Sequence, residues 1–227
     1  MIGHEDPRQT IVELCRRFYA QGWASGTGGG VSIRQGERVF YAPSGVAKEL
    51  MDPSDIFECR LDGSCVAAPA DSSLKLSACA PLFQSVYELR DAGAVIHSHS
   101  IHAVMATLIC GREFRVSQLE MMKGIRGVGF YDTMIIPVIE NTAYEEELVD
   151  RLRLAIKAYP SAYAVLVRRH GVYIWGQDWL EAKRHAECYD YLFDAAVRMH
   201  NLGMPLVESQ GMAAFDAMSK ESSASPK

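Results

Sequence analysis

Ala94-Val95-Ile96-His97-Ser98-His99 is the stretch on which the fold turns. Gly93 breaks a helical pattern just before it, and the run that follows reads as a strand. Side chains alternate across a strand, so residues two apart share a face. His97 and His99 therefore project together from the end of that strand, while Ser98 points the other way.

Working outward, the chain alternates strand and helix signals. A helix is expected over about 101–109, a β-branched strand over 134–139, and strands at Ala164–Val167 and 172–175, joined through Arg168-Arg169-His170-Gly171. Thr142 and Glu145 have the spacing of a capping box for a helix running to about Tyr159. A last helix begins near Asp178 and runs to about Asn201, where Gly203 and Pro205 end it. Upstream, Asp6-Pro7 opens a helix with Ile11, Leu14, Cys15 and Phe18 at helical spacing, and Gly22 closes it. The glycine loop Gly26-Thr27-Gly28-Gly29-Gly30 leads into short strands around 31–33 and 39–41, followed by the turn Pro43-Ser44-Gly45. Residues 62–73 are small and polar and read as a loop, and a helix is expected over 77–90. This order predicts one α/β layered domain over residues 1–205 with a mixed sheet, and a disordered tail over 206–227.

Composition narrows the function. A 227-residue chain, 48% hydrophobic and 22% charged, can bury a full core. Its net charge of −5 argues against a nucleic-acid or anionic-membrane surface, so an anionic substrate needs a local site. No apolar run approaches the ~18 residues of a membrane-spanning helix. The polar, acidic start reads as neither a secretory signal nor a transit peptide. Six cysteines without a CxxC pair are expected to be reduced thiols of a cytoplasmic protein.

Neutral imidazoles sharing a strand face suit a zinc ion, and an ordinary hydrogen-bonded pair fits the HxH spacing equally well. His170, at another strand end before a glycine, is one source of a third ligand, though spacing alone does not select it. His102 reads as surface helix, His185 as a helix residue, and His4 and His200 lie near the termini. Gly28, Gly29, Ser44 and Gly45 are positioned to offer backbone N–H groups to a phosphate, although GTGGG is neither a Walker A loop nor GxGxxG.

Three runs in order, Gly26-Thr27-Gly28-Gly29-Gly30-Val31-Ser32, Ala42-Pro43-Ser44-Gly45-Val46 and Val95-Ile96-His97-Ser98-His99-Ser100, resemble the class II aldolase/adducin family. Glu13-Leu14-Cys15-Arg16-Arg17-Phe18-Tyr19, Cys79-Ala80-Pro81-Leu82-Phe83, Glu120-Met121-Met122-Lys123-Gly124-Ile125 and Val167-Arg168-Arg169-His170-Gly171-Val172-Tyr173 are similar to one branch, the ketose-phosphate dehydratases of methionine salvage. The resemblance implies a three-layer α/β/α fold around a mixed sheet and a homotetramer with sites near subunit boundaries. It implies one zinc per subunit on His97, His99 and His170, with Glu120 as general acid/base and Cys79 in contact with substrate. Aldolase members of the family carry a glutamate where Cys79 stands and an asparagine where Gly30 stands, so the aldolase reading loses its usual base. A sugar-phosphate aldolase or epimerase, and a non-catalytic interaction protein on the same fold, are the alternatives.

Overall fold

The computed structural model describes residues 6–208. At its centre is the histidine strand itself, buried along its whole length over Ala94–Ser98. Such a strand needs cover on both faces. The described residues form eleven strands: β1 (Gly30–Gln35), β2 (Arg38–Tyr41), β3 (Pro43–Ser44), β4 (Phe57–Arg60), β5 (Cys65–Ala67), β6 (Lys75–Leu76), β7 (Ala94–Ser98), β8 (Glu113–Ser117), β9 (Thr133–Ile139), β10 (Ala164–Val167) and β11 (Gly171–Gly176). Nine of them make one sheet in the order β5-β4-β2-β1-β7-β11-β10-β9-β8, and β3 pairs separately with β6. Every pairing in the large sheet is antiparallel except β9 with β10. That parallel step is made possible by the crossover through helix α4, since parallel neighbours cannot be joined by a tight turn.

Among the described residues five helices cover the two faces: α1 (Pro7–Ala20), α2 (Ala80–Leu89), α3 (Ile101–Ala106), α4 (Val149–Ala158) and α5 (Trp179–Asn201). Strand alternation sorts the core in two. Ile96, Val172, Ile174 and Leu166 pack with α1, α3 and α5, whereas Val95, Tyr173, Trp175 and Val165 pack with α2 and α4. Each large side chain buried this way contributes roughly 1.5–3 kcal/mol. The layered α/β/α architecture is thus the expected one. His97, in step with Val95, faces the α2/α4 layer.

Several expected elements change at their ends. The first turn of α2 holds Pro81, and the helix starts at Ala80 instead of residue 77. The capping box at Thr142 and Glu145 does not form. The Thr142 hydroxyl donates to the Tyr144 carbonyl at 2.7 Å, a 3-10 turn (Glu145–Leu148) intervenes, and α4 begins only at Val149. The presumed loop over 62–73 contains β5, exposed at all three residues and so without the apolar alternation that marks a strand. Strands β4 and β8 were likewise not anticipated. Of the stretch expected to be a tail from 206 on, Leu206 O accepts from Ser117 N–H at 3.1 Å and Glu208 N–H donates to Ser117 Oγ at 2.8 Å; the remainder lies outside the described residues. No described helix is long and apolar enough to cross a membrane.

Candidate metal centre

Strand β7 delivers His97 buried at 2% exposure and ends one residue before His99. The hairpin from β10 to β11 delivers His170 from the neighbouring strand pair. This hairpin is held in an unusual shape. Arg169 adopts φ of 56°, a left-handed conformation that costs an ordinary residue about 1–2 kcal/mol. Three contacts offset that cost: Arg169 N–H donates to Thr107 Oγ1 at 3.0 Å, and Arg168 donates to Glu140 at 2.8 Å and to the Gly111 carbonyl at 2.6 Å. Two glycines let the pieces close. A Cβ at Gly28 would stand 2.3 Å from His99 Nδ1, and one at Gly171 would stand 2.1 Å from the Ser98 carbonyl oxygen.

The three rings point their Nε2 atoms at one place. His97 to His99 is 2.9 Å, His99 to His170 is 3.0 Å, and His97 to His170 is 3.2 Å between Nε2 atoms. Their orientation is fixed from behind, with His97 Nδ1–H donating to the Val172 carbonyl at 3.2 Å and His170 Nδ1–H donating to Asn141 Oδ1 at 3.0 Å. The Tyr173 ring stacks on His97 at 4.0 Å and 5°. Burial pushes His97 well below the ordinary histidine range, and the neighbouring imidazoles add to the effect. Burial likewise lowers His99, to about 4, and His170. With Nδ1–H donating on both His97 and His170, their Nε2 lone pairs face each other at 3.2 Å, an arrangement that a shared cation relieves. Tetrahedral coordination at about 2.0–2.1 Å puts donor atoms about 3.3–3.4 Å apart, close to the separations found. The donor set fits a divalent metal.

Glu145 joins the group: one of its oxygens and a ring nitrogen from each histidine lie within 4.8 Å of one another. The Cys79 thiol donates to Glu145 Oε2 at 3.1 Å, and the Tyr173 hydroxyl donates to Cys79 Sγ at 3.6 Å. Burial, reinforced by the Glu145 carboxylate, raises the Cys79 thiol far above its usual value, so it is a protonated donor and not a thiolate nucleophile. Beside this group opens a cavity of about 220 Å³ lined by Gly28, Gly29, Ser44, Gly45, Lys48 and Cys79. A second cavity of about 530 Å³, walled by Tyr41, Leu76, Pro81 and Tyr144, adjoins it across Ser77, Ala78 and Glu145.

Against known proteins, residues 9–197 match the class II aldolase and adducin N-terminal domain. The chain belongs to the class II aldolase/adducin family. Within that family it is 51% identical to methylthioribulose-1-phosphate dehydratase of Aquarana catesbeiana, over 89% of this chain and 87% of that one. It is 49% identical to a probable bifunctional methylthioribulose-1-phosphate dehydratase/enolase-phosphatase E1 of Arabidopsis thaliana over 86% of this chain, but spans only 41% of that relative's length. Among solved structures, an L-fuculose 1-phosphate aldolase superposes with a TM-score of 0.75 at 21% identity, covering 96% of this chain and 98% of that one, a likeness of fold alone.

Among the sequence-selected residues, the class II aldolase fold brings His97, His99, His170 and Cys79 together and sets Gly28, Gly29, Ser44 and Gly45 around the adjoining cavity. It leaves Glu120 outside. Glu120 opens a 3-10 turn (Glu120–Gly124) against α5, its side chain 72% exposed and ion-paired to Lys123 at 2.6 Å. Of the other histidines, His185 is wholly buried and locked neutral in α5, donating to the Trp175 carbonyl and accepting from Arg126 N–H. His102 pairs with Asp190 at 2.9 Å.

Two residues escaped the sequence reading. Glu145 looked like a helix cap. Lys48 is not singled out by any motif, yet it is 1% exposed, and its Nζ donates to the carbonyls of Thr27 at 3.1 Å and Val46 at 3.2 Å. Burial pulls the Lys48 pKa down, and Cys15, Cys79 and Glu145 oppose that shift. The available signal was positional: Lys48 follows Pro43-Ser44-Gly45 by three residues.

Proposed function

We propose that the chain is a zinc-dependent hydro-lyase that dehydrates 5-methylthioribulose 1-phosphate to 2,3-diketo-5-methylthiopentyl 1-phosphate, a step of methionine salvage. The observation that carries this reading is the convergence of three Nε2 atoms within 2.9–3.2 Å beside a cavity holding the buried cation of Lys48. A metal ligand set and an anion site next to each other suit a small phosphorylated ketose. The relatives named for this reaction, at about half identity along most of the chain, support the same substrate.

Zinc, when bound by His97, His99 and His170, supplies Lewis-acid polarisation of the ketose carbonyl. Lys48 and the N–H groups around Gly28, Gly29, Ser44 and Gly45 hold the phosphate, and Cys79 contacts the sugar. Glu120 takes the proton from the carbon beside the carbonyl and returns it to the hydroxyl on the next carbon, which departs as water. The enol left behind tautomerises to the diketone. Because Glu120 stands exposed and outside the cluster in the single chain, this role requires the homotetramer, in which a neighbouring copy supplies that carboxylate. A cytoplasmic setting fits the six free thiols.

The test is incubation of the zinc-loaded protein with methylthioribulose phosphate, followed by product mass. The expected product has lost one water and no carbon. Two fragments would convert the reading to aldolase. Unchanged substrate would leave a metal-binding interaction protein.

A further inference from the structure

The 3-10 turn Glu145–Leu148 opens with three successive glutamates that meet different surroundings. Glu146 and Glu147 are exposed, while Glu145 is half-buried and turned inward. One of its oxygens lies within 4.8 Å of a ring nitrogen from each of His97, His99 and His170. The thiol of Cys79 donates to Oε2, and among the described residues this is the only hydrogen bond to the Glu145 side chain. Oε1 is therefore left with all its lone pairs. Cys79 is itself held by the Tyr173 hydroxyl, and Tyr173 stacks on His97, so carboxylate and imidazole are positioned by one chain of contacts.

We propose that Glu145 is the fourth protein ligand of the metal in the substrate-free protein, and that Cys79 is the positioning residue that aims its carboxylate. The inference rests on the metal reading above, though not on the identity of the ketose. Three imidazole nitrogens already mark out one face of a tetrahedron. A Glu145 oxygen already lies within 4.8 Å of each histidine nitrogen, no more than about 1.5 Å beyond the edge of about 3.3 Å expected for tetrahedral coordination. Side-chain torsions of a half-exposed glutamate cover that distance. The carboxylate closes the site until the ketose oxygens displace it, and Cys79 then keeps the released carboxylate beside the substrate.

Cobalt(II) replaces zinc with a visible spectrum that reports coordination, so the experiment needs no turnover. Wild-type protein, Glu145→Gln, Cys79→Ala and Cys79→Ser are stripped, reloaded with Co2+, and titrated with a chelator. Glu145→Gln is expected to change the Co2+ spectrum and weaken metal retention about 10–100-fold. Cys79→Ala should shift both readouts in the same direction by less, and Cys79→Ser, which restores a donor, should recover them. Wild-type spectrum and affinity in Glu145→Gln would overturn the proposal while leaving the histidine site standing. Should Glu145→Gln fail to fold, an unchanged spectrum in Cys79→Ala overturns it instead. Wild-type protein that takes up neither Co2+ nor Zn2+ would remove the metal reading itself.

Discussion

His97 and Glu120 are both expected from sequence to do chemistry, and the single chain treats them in opposite ways. His97 is the penultimate residue of the central strand, 2% exposed, tied through Nδ1 to Val172 and covered by Tyr173. Glu120 sits 72% exposed on a 3-10 turn, its one ion pair among the described residues being with Lys123. An exposed pair of that kind is worth about 0–1 kcal/mol, too little to fix a catalytic base. A strand end inherits rigidity from the sheet on both sides. A surface turn inherits it from whatever docks against it.

The largest effect should come from breaking the rigid side of this comparison. Purified protein is expected to carry close to one zinc per chain, and His97→Ala or His170→Ala should lose most of it together with all measurable turnover. Full metal content in both variants, measured by elemental analysis, would dissolve the site. Breaking the other side should look different. Glu120→Gln is expected to keep its metal and bind substrate, yet turn over about 10²–10⁴-fold more slowly, because an amide cannot take up the proton. Near-normal kcat in that variant would leave the reaction standing and reassign the base.

The same contrast explains what could be read from sequence. Buried elements announce themselves: Ala94–Ser98, Ala164–Val167 and the Asp178-capped Trp179–Asn201 fall within a residue or so of expectation. Their periodicity is enforced by cover on one or both faces. Cys65–Ala67 and Glu113–Ser117, the two edges of the sheet, were missed: the first is exposed at every residue, and the second carries its strand alternation in only two buried apolar residues, Phe114 and Val116. Among site residues, HxH was visible because strand alternation brings the rings together locally. Glu145 was hidden because its partner, Cys79, is 66 residues away. Its spacing from Thr142 matched a capping box just as well. Lys48 was hidden because its place three residues after Pro43-Ser44-Gly45 does not by itself show that the side chain is buried.

Lys48 offers an intermediate test, a rigid residue outside the metal set. Lys48→Met should raise KM for the phosphorylated ketose about 10–100-fold, the worth of a charge-assisted hydrogen bond of ~1.5–3 kcal/mol. Metal content should not change. Lys48→Arg, keeping charge with a bulkier head, should fall between. If inorganic phosphate protects wild type and Lys48→Met equally in thermal melts, the cavity is not an anion site.

The smallest and most gradual effect concerns pH, and it separates the buried histidines from the metal they hold. Burial keeps His97, His99, His170 and His185 below their unfolded value of about 6.5, with His99 at about 4. Above pH ~7 both folded and unfolded chains carry neutral imidazoles, so stability is independent of these groups. Between pH ~6.5 and 4 the unfolded chain binds protons that the folded one refuses, and stability must fall as pH falls. Metal-free protein should therefore lose melting temperature steadily over that window. Metal-loaded protein should stand above it at neutral pH, and the gap should narrow on acidification because protons and metal compete for the same nitrogens. His97→Ala should abolish the gap without flattening the decline, since His185 still cannot accept a proton while it holds Arg126 N–H and the Trp175 carbonyl. A melting temperature that rises from pH 6.5 to pH 5 in the metal-free protein would contradict burial as the cause of the neutral histidines.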